Sequence, residues 1–255
     1  MALESFAEGT SPFHSMDAAA KITAATFFSI CTALLTTIPT ACAALIVGIA
    51  LLCIAQLPVK TLCRRLLFIN AFIAFLWLTL PVSTTGTPIY SWGGFTITKE
   101  GVDLTLLITL KSNAIITAFI ALLATSNITD IGAGFAKLRV PQKLSLLFLF
   151  TWRYIHVIQE EYKRLSTAAT LRGFVPTTNS HTYKTYANLI AMVLVKSHDR
   201  AERVSNAMKL RGFNGTFHSL HSTQKTSTDT AVTACIILIG TALLAADFFH
   251  LTELL

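Results

Sequence analysis

Apolar and polar positions alternate along this chain in long blocks rather than short periods. Residues 22–38 (ITAATFFSICTALLTTI) and 41–57 (ACAALIVGIALLCIAQL) are two apolar runs of about 17 residues, parted only by Pro39-Thr40. Such runs sit near the lower length for crossing a bilayer as helices. The spacing predicts a tight helical hairpin. Its small residues Ala41, Ala43, Ala44 and Gly48 would let helices approach closely. Lys60, Arg64 and Arg65 follow as a short basic loop, and residues 66–80 are a third apolar run stopped at Pro81. Residues 81–103 are rich in Gly, Ser, Thr and Pro, with Tyr90 and Trp92 placed as interface aromatics. Thr98 to Val102 opens a fourth span over 103–124, and residues 230–246 form a last one, leaving Asp247 to Leu255 beyond it.

The middle of the chain changes character. Thr125 to Asp130 is a polar break, and a short helix is predicted with Ile131, Phe135 and Leu138 on one face before Pro141. From Gln142 to Arg172 one long helix is predicted, apolar in its first half and polar in its second. At 1.5 Å per residue, some thirty residues reach about 45 Å. Residues 182–211 repeat that plan, and the run at 183–195 reads as a helix buried in the cytoplasmic or interfacial layer.

The two long helices share more than a plan. Residues 161–176 read EYKRLSTAATLRGFVP and residues 200–215 read RAERVSNAMKLRGFNG. Offset by 39 residues, they share Arg164 with Arg203, Ser166 with Ser205, Ala168 with Ala207, and a full Leu-Arg-Gly-Phe. Gly173 and Gly212 stand where a glycine ends a helix in the left-handed conformation. An arginine in a last turn complements the helix dipole, which explains one arginine but not its recurrence in an aligned context. Two equivalent tips imply two equivalent partners. Arg172 and Arg211 offer fixed guanidinium forks to a carboxylate-lined groove, with Phe174 and Phe213 as apolar anchors.

Composition agrees with a membrane protein. Hydrophobic residues make up 53% and charged residues 13%, with a mean hydropathy of +0.61, against about 25% charge in soluble domains. Lys137 to Lys225 holds 14 basic and four acidic residues, while the rest of the chain is net acidic by three. That basic block beside apolar runs marks the cytoplasmic side, with the N-terminus inside and residues 81–103 outside. No nucleic-acid motif accompanies it. The fold class expected is all-α: a polytopic membrane protein of about five transmembrane helices plus a cytoplasmic coupling module of long helices. Its regions are residues 1–125 with four spans, the coupling module 126–225, and the last span within 226–255.

Other candidate chemistry is sparse. Lys111 inside the fourth span is a candidate for an intramembrane polar role, against simple snorkelling or pairing. His218 and His221 have a metal-ligand spacing but no third ligand nearby, and the five cysteines form no CxxC, so no metal site is assigned. The sequons at Asn127 and Asn214 fall in segments placed inside. No phosphate-binding GxxxxGK[ST] loop and no catalytic triad pattern is present, which argues against an enzyme and against ATP hydrolysis by this chain. Asp17 is placed as the N-cap of the first helix.

These residues resemble the transmembrane T component of energy-coupling factor (ECF) transporters, the CbiQ/EcfT family. The match is carried by Ala168-Ala-Thr-Leu-Arg172-Gly173-Phe174 and Ala207-Met-Lys-Leu-Arg211-Gly212-Phe213, which stand where the family has two Ala-Arg-Gly-type signatures. Leu replaces the Ala before each Arg. The segment His14-Ser-Met-Asp17-Ala-Ala-Ala-Lys21 looks like the family's His-x-x-Asp-Pro-Arg-x-Lys, with Ala18 and Ala19 in place of Pro-Arg. Lys111, the Thr125-Ser126 break, Pro141 and the Trp152-Arg153-Tyr154 region fall in family order. The resemblance implies two ABC-type ATPase subunits, each receiving one arginine-tipped helix, and a separate substrate-binding membrane (S) subunit. It implies no cofactor bound by this chain, ATP being hydrolysed by its partners. It implies a bacterial or archaeal inner membrane and cobalt or nickel as cargo. A shared T component for vitamin uptake, or a self-contained secondary transporter with Lys111 in its path, are the alternatives.

Overall fold

The computed structural model describes Phe13 and residues 16–92, 95–214 and 227–253. His14, Gly93, His218, His221 and Lys225 lie outside the described residues. The chain divides into two compact units, Met1–Gly134 with Ser222–Leu255, and Phe135–His221.

The first unit is a helix bundle. In chain order its elements are α1 (Ala18–Leu34), α2 (Ile38–Ala55), α3 (Val59–Ser83), β1 (Pro88–Trp92), β2 (Phe95–Thr98), α4 (Lys99–Leu123), the start of α5 (Ile128–Lys137), and α8 (Ser227–Glu253). Helix α4 is the centre, packing against α1, α2 and α3, while α8 lies along α1 and α2. Small residues set this arrangement. Ala41, Ala44 and Ala55 of α2 and Ala114, Ala118 and Ala121 of α4 have no exposed surface. A methyl group on Gly48 would lie 2.3 Å from the Thr117 hydroxyl and 3.0 Å from the Ala114 carbonyl. Glycine is what permits the two backbones to approach.

Several boundaries differ from those expected. The break between α1 and α2 falls at Leu35-Thr36-Thr37, and Pro39 sits inside the first turn of α2. Proline is tolerated there because its missing N–H would have had no intrahelical partner. Helix α3 begins at Val59, so Arg64 and Arg65 are helical rather than loop, and Pro81 lies within its last turn. Residues 88–92 and 95–98 pair as two antiparallel strands where no strand was expected. Helix α8 runs on through Asp247 to Glu253.

Four described helices are long and apolar enough to cross a membrane: Ile38–Ala55, Leu62–Ser83, Lys99–Leu123 and Thr228–Phe249. The fifth expected span, α1, is apolar but has 17 residues. At about 26 Å these stand at the lower end of the length that crosses a bilayer.

The second unit is built on α6 (Gln142–Leu171) and α7 (Ser180–Leu210). Pro141 precedes α6, and Pro176 lies in the connection to α7. Asn179 caps α7, its side chain accepting the Thr182 N–H at 2.8 Å. Ile131 and Phe135 of the short helix α5, and Leu138 just beyond its end, are only half-buried, and Gly132 and Gly134 are buried instead. A methyl on Gly134 would come within 3.0 Å of the Ala19 backbone nitrogen. Close backbone approach therefore decides that face, rather than the size of its side chains.

Candidate functional site

The two ends of α6 and α7 are built alike. At the end of α6 the Gly173 N–H donates to the Thr170 carbonyl at 3.0 Å, and the Phe174 N–H donates to the Ala169 carbonyl at 3.1 Å. At the end of α7 the Gly212 N–H donates to the Lys209 carbonyl at 3.0 Å, and the Phe213 N–H to the Met208 carbonyl at 3.0 Å. Both are Schellman motifs, which satisfy the last carbonyls of a helix by turning one residue left-handed. Gly173 has φ +85° and Gly212 φ +80°. Arg172 and Arg211 are the C-cap residues, with matching φ of −87° and −88°. The repeated sequence thus gives a repeated backbone.

Side chains follow the same duplication. Arg172, Gly173, Arg211 and Gly212 are exposed, and among the described residues neither guanidinium makes an ion pair. Ala168 is half-buried and Ala207 exposed. The two phenylalanines depart from expectation. Phe174 is half-buried and meets Tyr186 edge-on with ring centroids 5.7 Å apart. Phe213 is half-buried and lines a groove of about 540 Å³ with Phe150, Tyr154, Val204 and Met208. A Schellman turn favours this inward packing, because it brings the residue after the glycine back over the last helical turn. The phenylalanines therefore close the module's own turns. Leu171 and Leu210 are the exposed apolar neighbours of the arginines instead.

The pairing of α6 with α7 can be read from these contacts. Phe174, beyond the end of α6, touches Tyr186 near the start of α7. Phe150 and Tyr154, early in α6, line one groove with Met208 and Phe213 at the end of α7. The helices are antiparallel. They meet around Val157, Ile158 and Glu161 on α6 and Lys196, Ser197 and Arg200 on α7. These are equivalent positions under the 39-residue offset. Glu161 accepts a hydrogen bond from Lys196 at this crossing. That bond holds the Glu161 carboxyl below its usual range. The crossing lies near the middle of each helix, so the two arginine ends point opposite ways. Each stands about 20 Å from the crossing, at 1.5 Å per residue over some thirteen residues.

The apolar half of α7 is largely exposed within this unit. Ile190, Met192, Leu194 and Val195 are exposed, and only Thr182 and Leu189 of α7 are buried.

Polar groups of the bundle were expected at Lys111 and Asp17. Lys111 donates its Nζ to the Ala33 carbonyl at 2.9 Å, in the last turn of α1. A cation there satisfies a helix-end carbonyl and complements the dipole. Asp17 precedes α1 but makes no side-chain cap bond to it. Its backbone N–H donates to Asp229 Oδ2 at 3.3 Å, and Lys21, one turn on, donates to the Ser126 hydroxyl at 2.8 Å. Asp17 and Lys21 of the family-like segment thus tie α1 to the α4–α5 junction and to α8.

Sequence reasoning missed Asp247. It is 4% exposed. Its carboxylate accepts from the Thr36 and Thr37 N–H groups at 2.9 and 3.0 Å, and from the hydroxyls of Thr36, Thr37 and Thr40 at 2.9, 2.7 and 2.7 Å. A distant helix thereby supplies the anionic cap for α2. The signal was present as an acid directly after the final apolar run and three threonines around the turn, but nothing local paired them across some 207 residues.

An all-α, multi-pass membrane protein with a pair of matched, arginine-ended helices is what this fold defines. The chain belongs to the CbiQ family of cobalt transport proteins, whose model matches residues 9–223. It is 28% identical over 145 residues to the energy-coupling factor transporter transmembrane protein EcfT of Brevibacillus brevis, covering 52% of this chain and 54% of that one. It is 24% identical over 245 residues to the EcfT of Exiguobacterium sibiricum, covering 91% and 93%. To the cobalt transport protein CbiQ of Rhodobacter capsulatus it is 24% identical over 153 residues, covering 60% and 62%. The chain spans only about half the length of the Brevibacillus relative.

Proposed function

We propose that this chain is the transmembrane coupling subunit of an ECF-type importer in the inner membrane of a bacterium or archaeon. The observation that carries the reading is the pair of equivalent helix ends, each presenting an exposed arginine on a fixed turn. Two ABC-type ATPase subunits each take one arginine into a carboxylate-lined groove. ATP-driven closure of those subunits displaces the two ends, and the helices, crossing near their middles, carry that displacement as rigid elements. A separate substrate-binding membrane subunit receives it. Cobalt is the cargo the family description favours, with nickel the second reading for a dedicated metal-ion importer. Lys111, engaged at the end of α1, is assigned to holding the bundle rather than to a transport path.

The test is the double variant Arg172→Ala, Arg211→Ala, co-expressed with the ATPase subunits. Leaving buried carboxylates unpaired costs about 2–5 kcal/mol at such an interface. Association should fall by at least about thirtyfold, while the variant still inserts and purifies normally. Undiminished co-purification would overturn the reading.

A further inference from the structure

The two most exposed large apolar side chains among the described residues are Leu210 at 90% and Leu171 at 84%. They hold the same position in the 39-residue repeat, and each is the last helical residue before its arginine. On α3 exposed apolar side chains such as Phe68 and Phe72 belong to a segment apolar enough to face lipid. Lipid does not account for the two leucines. Each ends a polar half-helix, and neither α6 nor α7 is among the helices apolar enough to cross a membrane.

Chance does not account for them well either. Val175 is also exposed beyond the α6 end, but its counterpart is Asn214, so it is not common to both ends. Phe174 and Phe213 are common to both but turn inward. Among the apolar groups, leucine alone is both duplicated and presented. The Schellman turn fixes the backbone on the far side of each arginine. Leucine and arginine therefore leave one turn at adjacent positions, about 100° apart around the axis.

Resting on the coupling role proposed above, we infer that each helix end is a two-point plug, Leu171 with Arg172 and Leu210 with Arg211. The receiving site on each ATPase subunit is an apolar pocket wide enough for a leucine side chain, with carboxylates at its rim. The arginine supplies charge and orientation, and the leucine supplies the apolar area that is removed from water. The leucines then select among ATPase subunits. A groove with a shallow or polar floor would carry the right charge and still reject these ends.

The experiment uses the full chain co-expressed with its ABC-type ATPase subunits and reads the amount of ATPase retained on the purified membrane subunit. Leu171→Ala with Leu210→Ala is compared with Leu171→Met with Leu210→Met, and with Arg172→Ala plus Arg211→Ala, over salt from about 0.1 to 1 M. The alanine pair should bind at least about tenfold more weakly, as loss of a central apolar anchor does. What binding remains should still be weakened by salt. The methionine pair should bind like the unmodified chain, being close in volume. If the leucine-to-alanine pair binds like the unmodified chain while the arginine pair does not, the plug is wrong and the coupling role stands. Equal loss in the methionine and alanine pairs also overturns the plug. If leucine and arginine pairs both bind normally, the coupling role itself fails.

Discussion

In the bundle, alanines of α2 and α4 lie at zero exposure and Gly48 lets two backbones touch. In the second unit, helices of 30 and 31 residues bury only Ser145, Thr182 and Leu189. The bundle is specified by what its helices bury against each other. The α6–α7 pair is specified by its ends: an asparagine cap at the start of α7, two glycine turns, and one ion pair at the crossing. A region that keeps its shape by caps leaves its faces free for other molecules. The difference separates a part that holds position in a membrane from a part that offers contacts.

Five substitutions break or sharpen that contrast. Asp247→Ala should have the largest effect on the bundle. It removes the carboxylate shared by two backbone N–H groups and three hydroxyls, at a cost of about 3 kcal/mol or more. A large fall in Tm in detergent is the expected result, whereas changes in the α6–α7 pair should leave that Tm alone. Lys111→Met comes next. Loss of a charged hydrogen bond to the Ala33 carbonyl costs about 1.5–3 kcal/mol, so Tm should drop and transport should fall only as far as folded protein falls. Transport abolished at unchanged Tm would instead put Lys111 in a substrate path.

Gly173→Ala and Gly212→Ala should each cost about 1 kcal/mol, because alanine is strained at positive φ. Nothing lies within 4 Å of either added methyl group, so the effect is confined to the backbone of the turn. Faster amide exchange at residues 168–174 or 207–213 is the expected reading, with the bundle unchanged. The smallest effect belongs to the exposed pair of Glu161 and Lys196. Its carboxyl titrates below the ordinary carboxylate range because Lys196 donates to it. The pair's contribution is therefore present above the ordinary carboxylate value and lost as pH falls through the lowered one. NMR titration of Glu161 should show that lowered midpoint, and Lys196→Ala should move it back up.

The parts legible in the sequence were those whose determinants are local. The two glycine ends, the α6 start after Pro141 and the α4 start after Thr98 each depend on a few adjacent residues. Pro39 misled because proline ends a helix or begins one, and only the neighbouring Thr36 and Thr37 decide which. The β1–β2 strand pair was hidden in a segment whose turn residues outnumber its alternating ones. Phe174 and Phe213 were legible as part of a motif but not in direction. Whether a side chain faces in or out after a Schellman turn depends on partners such as Tyr186, a dozen residues on. Asp247 was the least legible, since its five donors come from the other end of the chain.

The central claim is that two equivalent ends meet two separate ATPase subunits. It is tested most directly by cross-linking from single cysteines at Thr170 and Lys209, equivalent exposed positions one residue before the leucines. The five native cysteines would be replaced by alanine. In the assembled complex each cysteine should cross-link to an ATPase subunit, and the double variant should capture two subunits per chain. Cross-linking from only one position, or of both positions to a single ATPase subunit, would contradict the account.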